Sequence, residues 1–213
     1  VNRAGPLLGK RVLVTGSGPI GLLTARAAVL AGAKFVVATD IEDEALIVAR
    51  AHMGVDATVN VRSDPDGLVR YASDAEGFDV ALEASGSPVA RTRPSSRSTP
   101  RPAFWNSSGS PVALQSLFAV VRRGGRIVQL GMMPPGDCPL PINKLQSREI
   151  DLVGAFRAHD EFALAVELIS SGKFDVTPIL SGTFPLADAN SAFALAGDRS
   201  KVVKLHLAIA EAS

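Results

Sequence analysis

The sequence VTGSGPIG at residues 14–21 places three glycines, Gly16, Gly18 and Gly21, in the spacing G-x-G-x-x-G. An apolar run precedes them, and residues 19–32 repeat apolar side chains at helical intervals before ending on glycine. The pattern predicts a strand, a tight turn and a helix in succession. In such a turn the first glycine permits the reversal, the second lets backbone approach a pyrophosphate, and the third lets the helix pack closely on the strand.

The rest of the chain alternates apolar runs with segments of helical period. Strands are predicted over 35–40, 57–61, 78–85, 126–132 and 150–156, and helices over 42–54, 64–75 and 112–125. Runs this apolar are typical of strands buried on both faces, so the alternation predicts a parallel sheet covered by helices on both sides. We expect an α/β fold, a doubly wound parallel-sheet Rossmann domain over residues 8–156.

An acidic residue follows the second predicted strand. Asp40 stands 19 residues after Gly21, where a carboxylate can accept both ribose hydroxyls of a dinucleotide and repel a 2′-phosphate. The helix that begins at Pro19 turns its first N–H groups toward the phosphates, and proline there removes no donor that the helix needs. No arginine or lysine occurs in residues 41–45, which favours NAD over NADP. The alternative is a plain tight turn, with Asp40 as a solvated cap of the next helix.

Composition excludes several classes of protein. The 213 residues carry 22 basic and 21 acidic side chains, a balance that predicts no nucleic-acid partner and no anionic membrane surface. One cysteine, Cys138, excludes an internal disulfide framework. Since neither a signal peptide nor an apolar run of about 18 residues is evident, we expect a soluble, cytoplasmic protein.

Methyltransferases also combine a glycine-rich first turn with an acid after the second strand, so they are a rival class. The later sequence favours another family. It resembles the cofactor-binding, C-terminal half of zinc-dependent medium-chain alcohol and polyol dehydrogenases, nearest to the sorbitol and L-idonate 5-dehydrogenase branch. The pieces that carry the resemblance follow in the family's order: VLVTGSGPIGLL, FDVALEASGSP, GGRIVQLGMMP, EIDLVGAFR, TFPLADANSAFALA and GDRSKVVKLHL.

The resemblance implies which residues contact NAD. The main chain at Ile20 would lie along the pyrophosphate, and Asp40 would hold the adenosine ribose. A backbone segment would bind the nicotinamide carboxamide, and a second segment would close the other side, its arginine also near the polyol. These two segments are Leu130, Gly131 and Met132, and Ala155, Phe156 and Arg157. For Phe156 and Arg157 the alternatives are a core side chain and a surface charge.

In this family zinc polarises the substrate hydroxyl while hydride passes to NAD, and zinc needs three or four cysteine, histidine or carboxylate ligands. The chain offers one cysteine and three histidines, His52, His159 and His206, whose placement predicts no zinc site and no catalytic residue. The zinc-bearing domain of relatives precedes the first strand. We therefore expect residues 157–213 to be a remnant of a catalytic domain whose N-terminal part is missing.

Six residues, SGSPVA, occur at 85–90 and again at 108–113. The serine-, proline- and arginine-rich sequence between the copies is predicted to be disordered. Joining the copies gives the short strand-to-helix turn of the family, so we interpret residues 88–110 as the product of a duplication or a reading-frame change. A solvated loop and a binding arm containing Trp105 are the alternatives.

The sequence thus predicts the cofactor-binding part of an NAD-dependent oxidoreductase that oxidises a secondary alcohol of a polyol or sugar acid, without turnover by this chain alone. A non-catalytic NAD(P)-binding module and a methyltransferase-like Rossmann domain are the alternatives. The apolar strand at 150–156 is expected at the sheet edge, where relatives join two sheets. We therefore expect a homo-oligomer through this strand.

Overall fold

The computed structural model describes residues 1–73, 77–88, 107–108, 111–133, 135–158 and 160–209. The strands are β1 (Arg11–Thr15), β2 (Phe35–Asp40), β3 (Ala57–Asn60), β4 (Phe78–Glu83), β5 (Ser87–Pro88), β6 (Ser107–Ser108), β7 (Val121–Gln129), β8 (Asp151–Gly154), β9 (Leu180–Pro185) and β10 (Lys204–Ala208). The α-helices are α1 (Pro19–Leu30), α2 (Asp43–His52), α3 (Val69–Ser73), α4 (Pro111–Val120), α5 (Ile142–Ser147), α6 (Glu161–Ser170) and α7 (Ala189–Ala196).

Six strands form one parallel sheet in the order β3-β2-β1-β4-β7-β8. The chain runs outward from β1 to β3 on one side, and then returns to β4 and continues outward on the other side. The strand order therefore reverses between β1 and β4, and open α/β sheets bind ligands beside the carboxyl ends of the strands at this point. The doubly wound Rossmann fold predicted from the sequence is confirmed.

The core lies on both faces of this sheet. Val12 and Val14 pack on one side with Leu22 of α1, whereas Leu13 packs on the other with Phe118 of α4. Adjacent strand residues point to opposite faces, so an uninterrupted apolar run fills both layers.

Several element boundaries differ from those expected. The helix predicted over 112–125 ends at Val120, and β7 begins at Val121, five residues before the predicted strand. The chain therefore changes from helix to strand between Val120 and Val121, two apolar residues. Further along β7, Gly124 adopts φ +65°, and the register between β7 and β4 shifts near the start of β4. The helix predicted over 64–75 begins only at Val69, because the region of Pro65 and Gly67 forms turns, and residues 74 and 75 lie outside the described residues.

Beyond the large sheet, β9 and β10 form a separate two-stranded parallel sheet flanked by α7. The strand β9 was not predicted. The division into 8–156 and 157–213 remains a prediction. In the described ranges, no helix combines the length and apolarity needed to cross a membrane.

The segment between the SGSPVA copies lies almost wholly outside the described residues. Its backbone is described only where Ser87 and Pro88 pair antiparallel with Ser108 and Ser107. The predicted disorder of residues 88–110, the arm at Trp105, and His159 therefore stay untested.

Candidate functional site

The first turn of the sheet requires glycine at two positions. Gly16 adopts φ +83°, and a Cβ atom on it would lie 2.5 Å from the Ser85 Cα atom. A Cβ atom on Gly21 would lie 1.7 Å from the Gly16 carbonyl oxygen. Both distances are far below van der Waals contact, so β1, α1 and the residues after β4 can approach this closely only because these side chains are absent.

Gly18 differs from these two glycines. Its φ of −67° is open to any residue, and the nearest atom to a Cβ there, Arg199 Nη2, is 3.6 Å away. Gly18 is the N-cap of α1 and Pro19 is the first helical residue. The N–H groups of Ile20 and Gly21 belong to the first turn, whose donors have no partner inside a helix. Among the described residues, only this flexible Arg199 side chain lies against the positive end of the helix at Gly18, an arrangement suited to phosphate.

Asp40 ends β2 beside this turn and is buried, with 5% of its surface exposed. Its Oδ2 atom accepts the Ser17 N–H at 2.6 Å, and Oδ1 accepts the N–H groups of Ile41 at 2.7 Å and Glu42 at 3.1 Å. The N-cap of α2 is Glu42. The interpretation of Asp40 as a solvated helix cap is therefore wrong, and the carboxylate instead ties β2 to the glycine turn.

A basic residue that the sequence analysis missed lies at the same place. Arg199, from the turn between α7 and β10, has Nη2 at 3.6 Å from Asp40 Oδ2 and donates from Nη1 to the Gly86 carbonyl at 3.3 Å. Only the tertiary fold brings Arg199 to Asp40, so no local pattern around residues 41–45 could have indicated it.

A cavity of about 530 Å³ opens at this edge of the sheet, between the ends of β1 and β2 and helix α4. Its polar lining includes Thr15, whose buried hydroxyl has no hydrogen-bond partner among the described residues, and its polar rim includes Asp40 and Arg199. The opposite lining is apolar and consists of Ile41, Val61, Pro65, Leu68, Val69, Val112, Ala113, Ala119 and Val120. An apolar slot beside a carboxylate and an open helix N-terminus fits the adenosine half of a dinucleotide.

The residues expected to contact nicotinamide follow β7 and β8 at the same edge of the sheet. The N–H groups of Leu130 and Gly131 donate to the Glu83 carbonyl at 2.8 and 3.0 Å, and Ala155 donates to Gln129 at 2.9 Å. These bonds fix the backbone of both segments.

The side chains that end these segments are exposed. Met132 is 56% exposed and Phe156 71%, so the alternative of Phe156 as a core side chain is wrong. Arg157 has φ +59°, and its guanidinium lies 5.1 Å from the centre of the Phe156 ring. Whether these residues contact a cofactor remains a prediction.

Glu83, the last residue of β4, is a second group that the sequence analysis missed. It is fully buried. Its Oε1 atom accepts hydrogen bonds from the Ser85 N–H and hydroxyl, and Oε2 accepts from Gln129 Nε2 at 2.5 Å. Burial raises the pKa of Glu83, and the bonds from Ser85 and Gln129 partly oppose that rise. A single acidic residue at the end of the otherwise apolar sequence VALE could have indicated from the sequence that Glu83 belongs to the site.

The described residues do not fit a zinc ion. Among them, no group of three or more histidine, cysteine, aspartate or glutamate side chains is placed to hold a metal. His52 ends α2, His206 lies in β10, and Cys138 lies between β7 and α5.

Comparison with known proteins shows which proteins this chain resembles. The family model described as "Zinc-binding dehydrogenase" matches residues 19–94. L-idonate 5-dehydrogenase (NAD(P)(+)) of Escherichia coli (strain K12) is 32% identical over 206 residues, which are 97% of this chain and 52% of the relative. L-threonine 3-dehydrogenase of Streptomyces avermitilis is 33% identical over 89% of this chain and 48% of the relative. Sorbitol dehydrogenase of Bacillus subtilis (strain 168) is 28% identical over 86% and 46%.

The fold agrees with these matches. The crystal structure of L-idonate 5-dehydrogenase from E. coli K-12 superposes with a TM-score of 0.78 at 31% identity, over 98% of this chain and 52% of that one. The chain thus spans about half the length of the curated relatives it matches. It is therefore similar to zinc-dependent medium-chain alcohol and polyol dehydrogenases over about half of their length.

Proposed function

We propose that this chain binds a nicotinamide dinucleotide along the carboxyl edge of its large sheet, as the cofactor-binding part of an oxidoreductase. The observation that carries the proposal is the junction of β1, α1 and β2, where the N-terminus of α1 meets the Asp40 carboxylate and, beyond the chain neighbours of Gly18, only the Arg199 side chain comes within 4 Å of a Cβ on Gly18 among the described residues. There the N–H groups of Ile20 and Gly21 would donate to pyrophosphate oxygens. The apolar cavity beyond Asp40 would take the adenine.

The reaction we propose for the whole protein is oxidation of a secondary alcohol of a polyol or sugar acid. Idonate and sorbitol, named in two of the relatives, carry such alcohols, and so does threonine in the third. A bound nicotinamide would accept the hydride. The backbone at 130–132 and at 155–157 would flank the ring, and the exposed Arg157 would offer its charge to a substrate carboxylate or hydroxyl. No step is assigned to zinc, because the described residues do not fit it.

We further propose that NAD is preferred to NADP. A carboxylate beside the adenosine ribose favours free hydroxyls and repels a 2′-phosphate. Replacing Asp40 is a poor test, because its oxygens also accept three backbone N–H groups and the substitution would disturb the turn itself.

The binding site is better tested at Gly18. In the Gly18→Ala variant the added methyl meets no atom of the described residues, beyond its chain neighbours, closer than Arg199 Nη2 at 3.6 Å, yet it occupies the space proposed for the pyrophosphate. We expect an unchanged melting temperature and NAD affinity lowered at least about tenfold, equivalent to ~1.4 kcal/mol. Calorimetric titration of both proteins with NAD measures the effect.

Gly182→Ala is the matched control, because its added methyl has a similar nearest distance, 3.5 Å, and lies in β9 of the small sheet. NAD affinity in this variant should equal that of the wild type. A wild-type protein that binds no NAD, or a Gly18→Ala variant that binds it equally well, would contradict the proposal.

A further inference from the structure

Arg199 lies where three parts of the proposed cofactor site meet. Its guanidinium is 3.6 Å from Asp40 at the end of β2 and 3.3 Å from the Gly86 carbonyl after β4. It is also 3.6 Å from the point where a Gly18 side chain would begin. The Arg199 side chain is 40% exposed, whereas that of Asp40 is 4% exposed. The arginine therefore covers the buried carboxylate from the solvent side.

The hydrogen bonds of Asp40 leave little capacity for a ribose. A carboxylate has about four lone-pair positions, and three backbone N–H groups already donate to Asp40. The remaining position, on Oδ2, faces Arg199. Any group of a bound nucleotide that reaches Asp40 here must also meet the guanidinium.

The contacts of Arg199 itself are long. The Asp40 distance of 3.6 Å exceeds that of a hydrogen bond, and the Gly86 bond of 3.3 Å is near the upper limit. A guanidinium presents several N–H donors in a planar fork that matches two oxygens of a phosphate. The fork can therefore form shorter, charge-assisted bonds with a phosphate than it forms with the protein alone.

We propose that Arg199 determines cofactor specificity by receiving the 2′-phosphate of an adenosine ribose, so that NADP is disfavoured much less than Asp40 alone would dictate. The inference rests on the proposed function, because it requires the ribose to lie beside Asp40. An arginine near this carboxylate is the arrangement that accommodates a 2′-phosphate in dinucleotide sites. Here the arginine comes from the segment after α7 and not from the residues that follow β2.

The test uses two probes that differ by one phosphate, 5′-AMP and adenosine 2′,5′-bisphosphate, titrated calorimetrically into the full chain. We expect Arg199→Gln to weaken binding of the bisphosphate at least about tenfold, since the charge-assisted contact with its 2′-phosphate is lost. Binding of 5′-AMP, which has no 2′-phosphate, should weaken less than about threefold. The NAD-to-NADP affinity ratio should rise by the same factor as the bisphosphate affinity falls. Arg199→Lys keeps the positive charge but not the planar guanidinium, and should lower the affinity for the bisphosphate by an intermediate factor.

Lys201→Gln is the control for charge alone. It removes one positive charge two residues away, from a lysine that pairs with Asp198 at 2.8 Å, and both probes should bind it as they bind the wild type. Thermal melts of each variant establish that the fold is retained.

Other outcomes would overturn the inference. If Arg199→Gln lowered the affinity for both probes equally, Arg199 would be assigned to the 5′-phosphate or pyrophosphate. A gain in 5′-AMP affinity would mean that the guanidinium only obstructs the ribose, and unchanged affinities would assign it no phosphate. If the wild type bound neither probe nor either dinucleotide, the proposed function would fail first, and this inference with it.

Discussion

Glu83 makes the stability of the folded protein depend on pH. Burial raises the pKa of this carboxyl above its ordinary value of 4.5, so the folded protein holds the proton more tightly than the unfolded chain. The stabilisation from protonated Glu83 is complete below pH 4.5 and is lost as the pH rises through the raised pKa. Relative to a variant with no charge at this position, the wild type should lose stability from acid to neutral pH.

Glu83→Gln supplies that comparison. Its amide can accept from Ser85 and, after rotation of the Gln129 amide, donate to Gln129 Oε1, a buried atom without a partner among the described residues. Urea denaturation at a series of pH values measures the free energy of unfolding of both proteins. We expect the wild-type value minus the variant value to fall as the pH rises.

Asp79 provides a control of opposite sign. Burial favours its neutral form, but the Arg11 N–H and the Arg122 side chain together lower the pKa of Asp79 below its ordinary value. Its contribution to stability is therefore present at neutral pH and lost in acid. The free energy of unfolding of the wild type minus that of Asp79→Asn should therefore rise with pH. If the corresponding difference for Glu83→Gln also rose with pH, the raised pKa of Glu83 would be contradicted.

The residues of the site were predictable to the extent that their roles are local. Gly16 and Gly21 were found by spacing because β1, the turn and α1 are consecutive in sequence, and Asp40 was found as the end of the next strand. Arg199 reaches Asp40 only through the fold of the last fifty residues. No pattern within a window of sequence can report such a contact.

At the scale of elements, β8 is the outer strand of the large sheet within the described residues. Ala155 donates its N–H to Gln129 of β7, and alternate residues point the same way. The N–H groups of Leu152 and Gly154 therefore point outward, and the outward carbonyl of Gly154 accepts from Arg3 Nε at 3.1 Å. An apolar strand with outward N–H groups can pair with a copy of itself.

We expect the chain to form a dimer through this edge, and Gly154→Pro to shift it toward the monomer. The substitution removes one outward N–H, and a Cβ atom at Gly154 meets no atom of the described residues within 4 Å, so we expect pairing of β8 with β7 to be retained. Gly154→Ala adds a side chain without removing the N–H and should stay dimeric. Light scattering at micromolar concentration measures the mass, and a monomeric wild type would contradict the prediction.

The elements that were mispredicted share a physical cause. In β9 the residues alternate between partly buried and exposed, but its sequence LSGTFP is rich in residues typical of turns, so no strand was predicted there. At Val120-Val121 helix passes to strand without a loop, and two valines suit either structure. Both features are decided by partners distant in sequence, β10 in the first case and β4 in the second.

At the scale of the whole molecule, the inserted segment can be removed where its ends meet. Ser87 pairs with Ser108, so the chain leaves and returns at one place, and deletion of residues 88–110 joins Ser87 directly to Pro111 at the start of α4. We expect the deletion variant to melt at a higher temperature and to bind NAD at least as tightly, because a shorter connection loses less entropy on folding.

Neither the full chain nor the deletion variant should oxidise sorbitol or L-idonate. Oxidation of a secondary alcohol requires stabilisation of the developing alkoxide. A bound metal supplies several kcal/mol of this, and about 1.36 kcal/mol changes the rate tenfold. The described residues bring together no metal-binding group, and Arg157 is a single exposed cation that cannot act as a base. NADH absorbance, followed with and without added zinc, should stay at the rate seen without protein. Zinc-dependent turnover by either protein would show that the chain assembles a metal site and is an enzyme by itself, whereas NAD binding without turnover would support a cofactor-binding part.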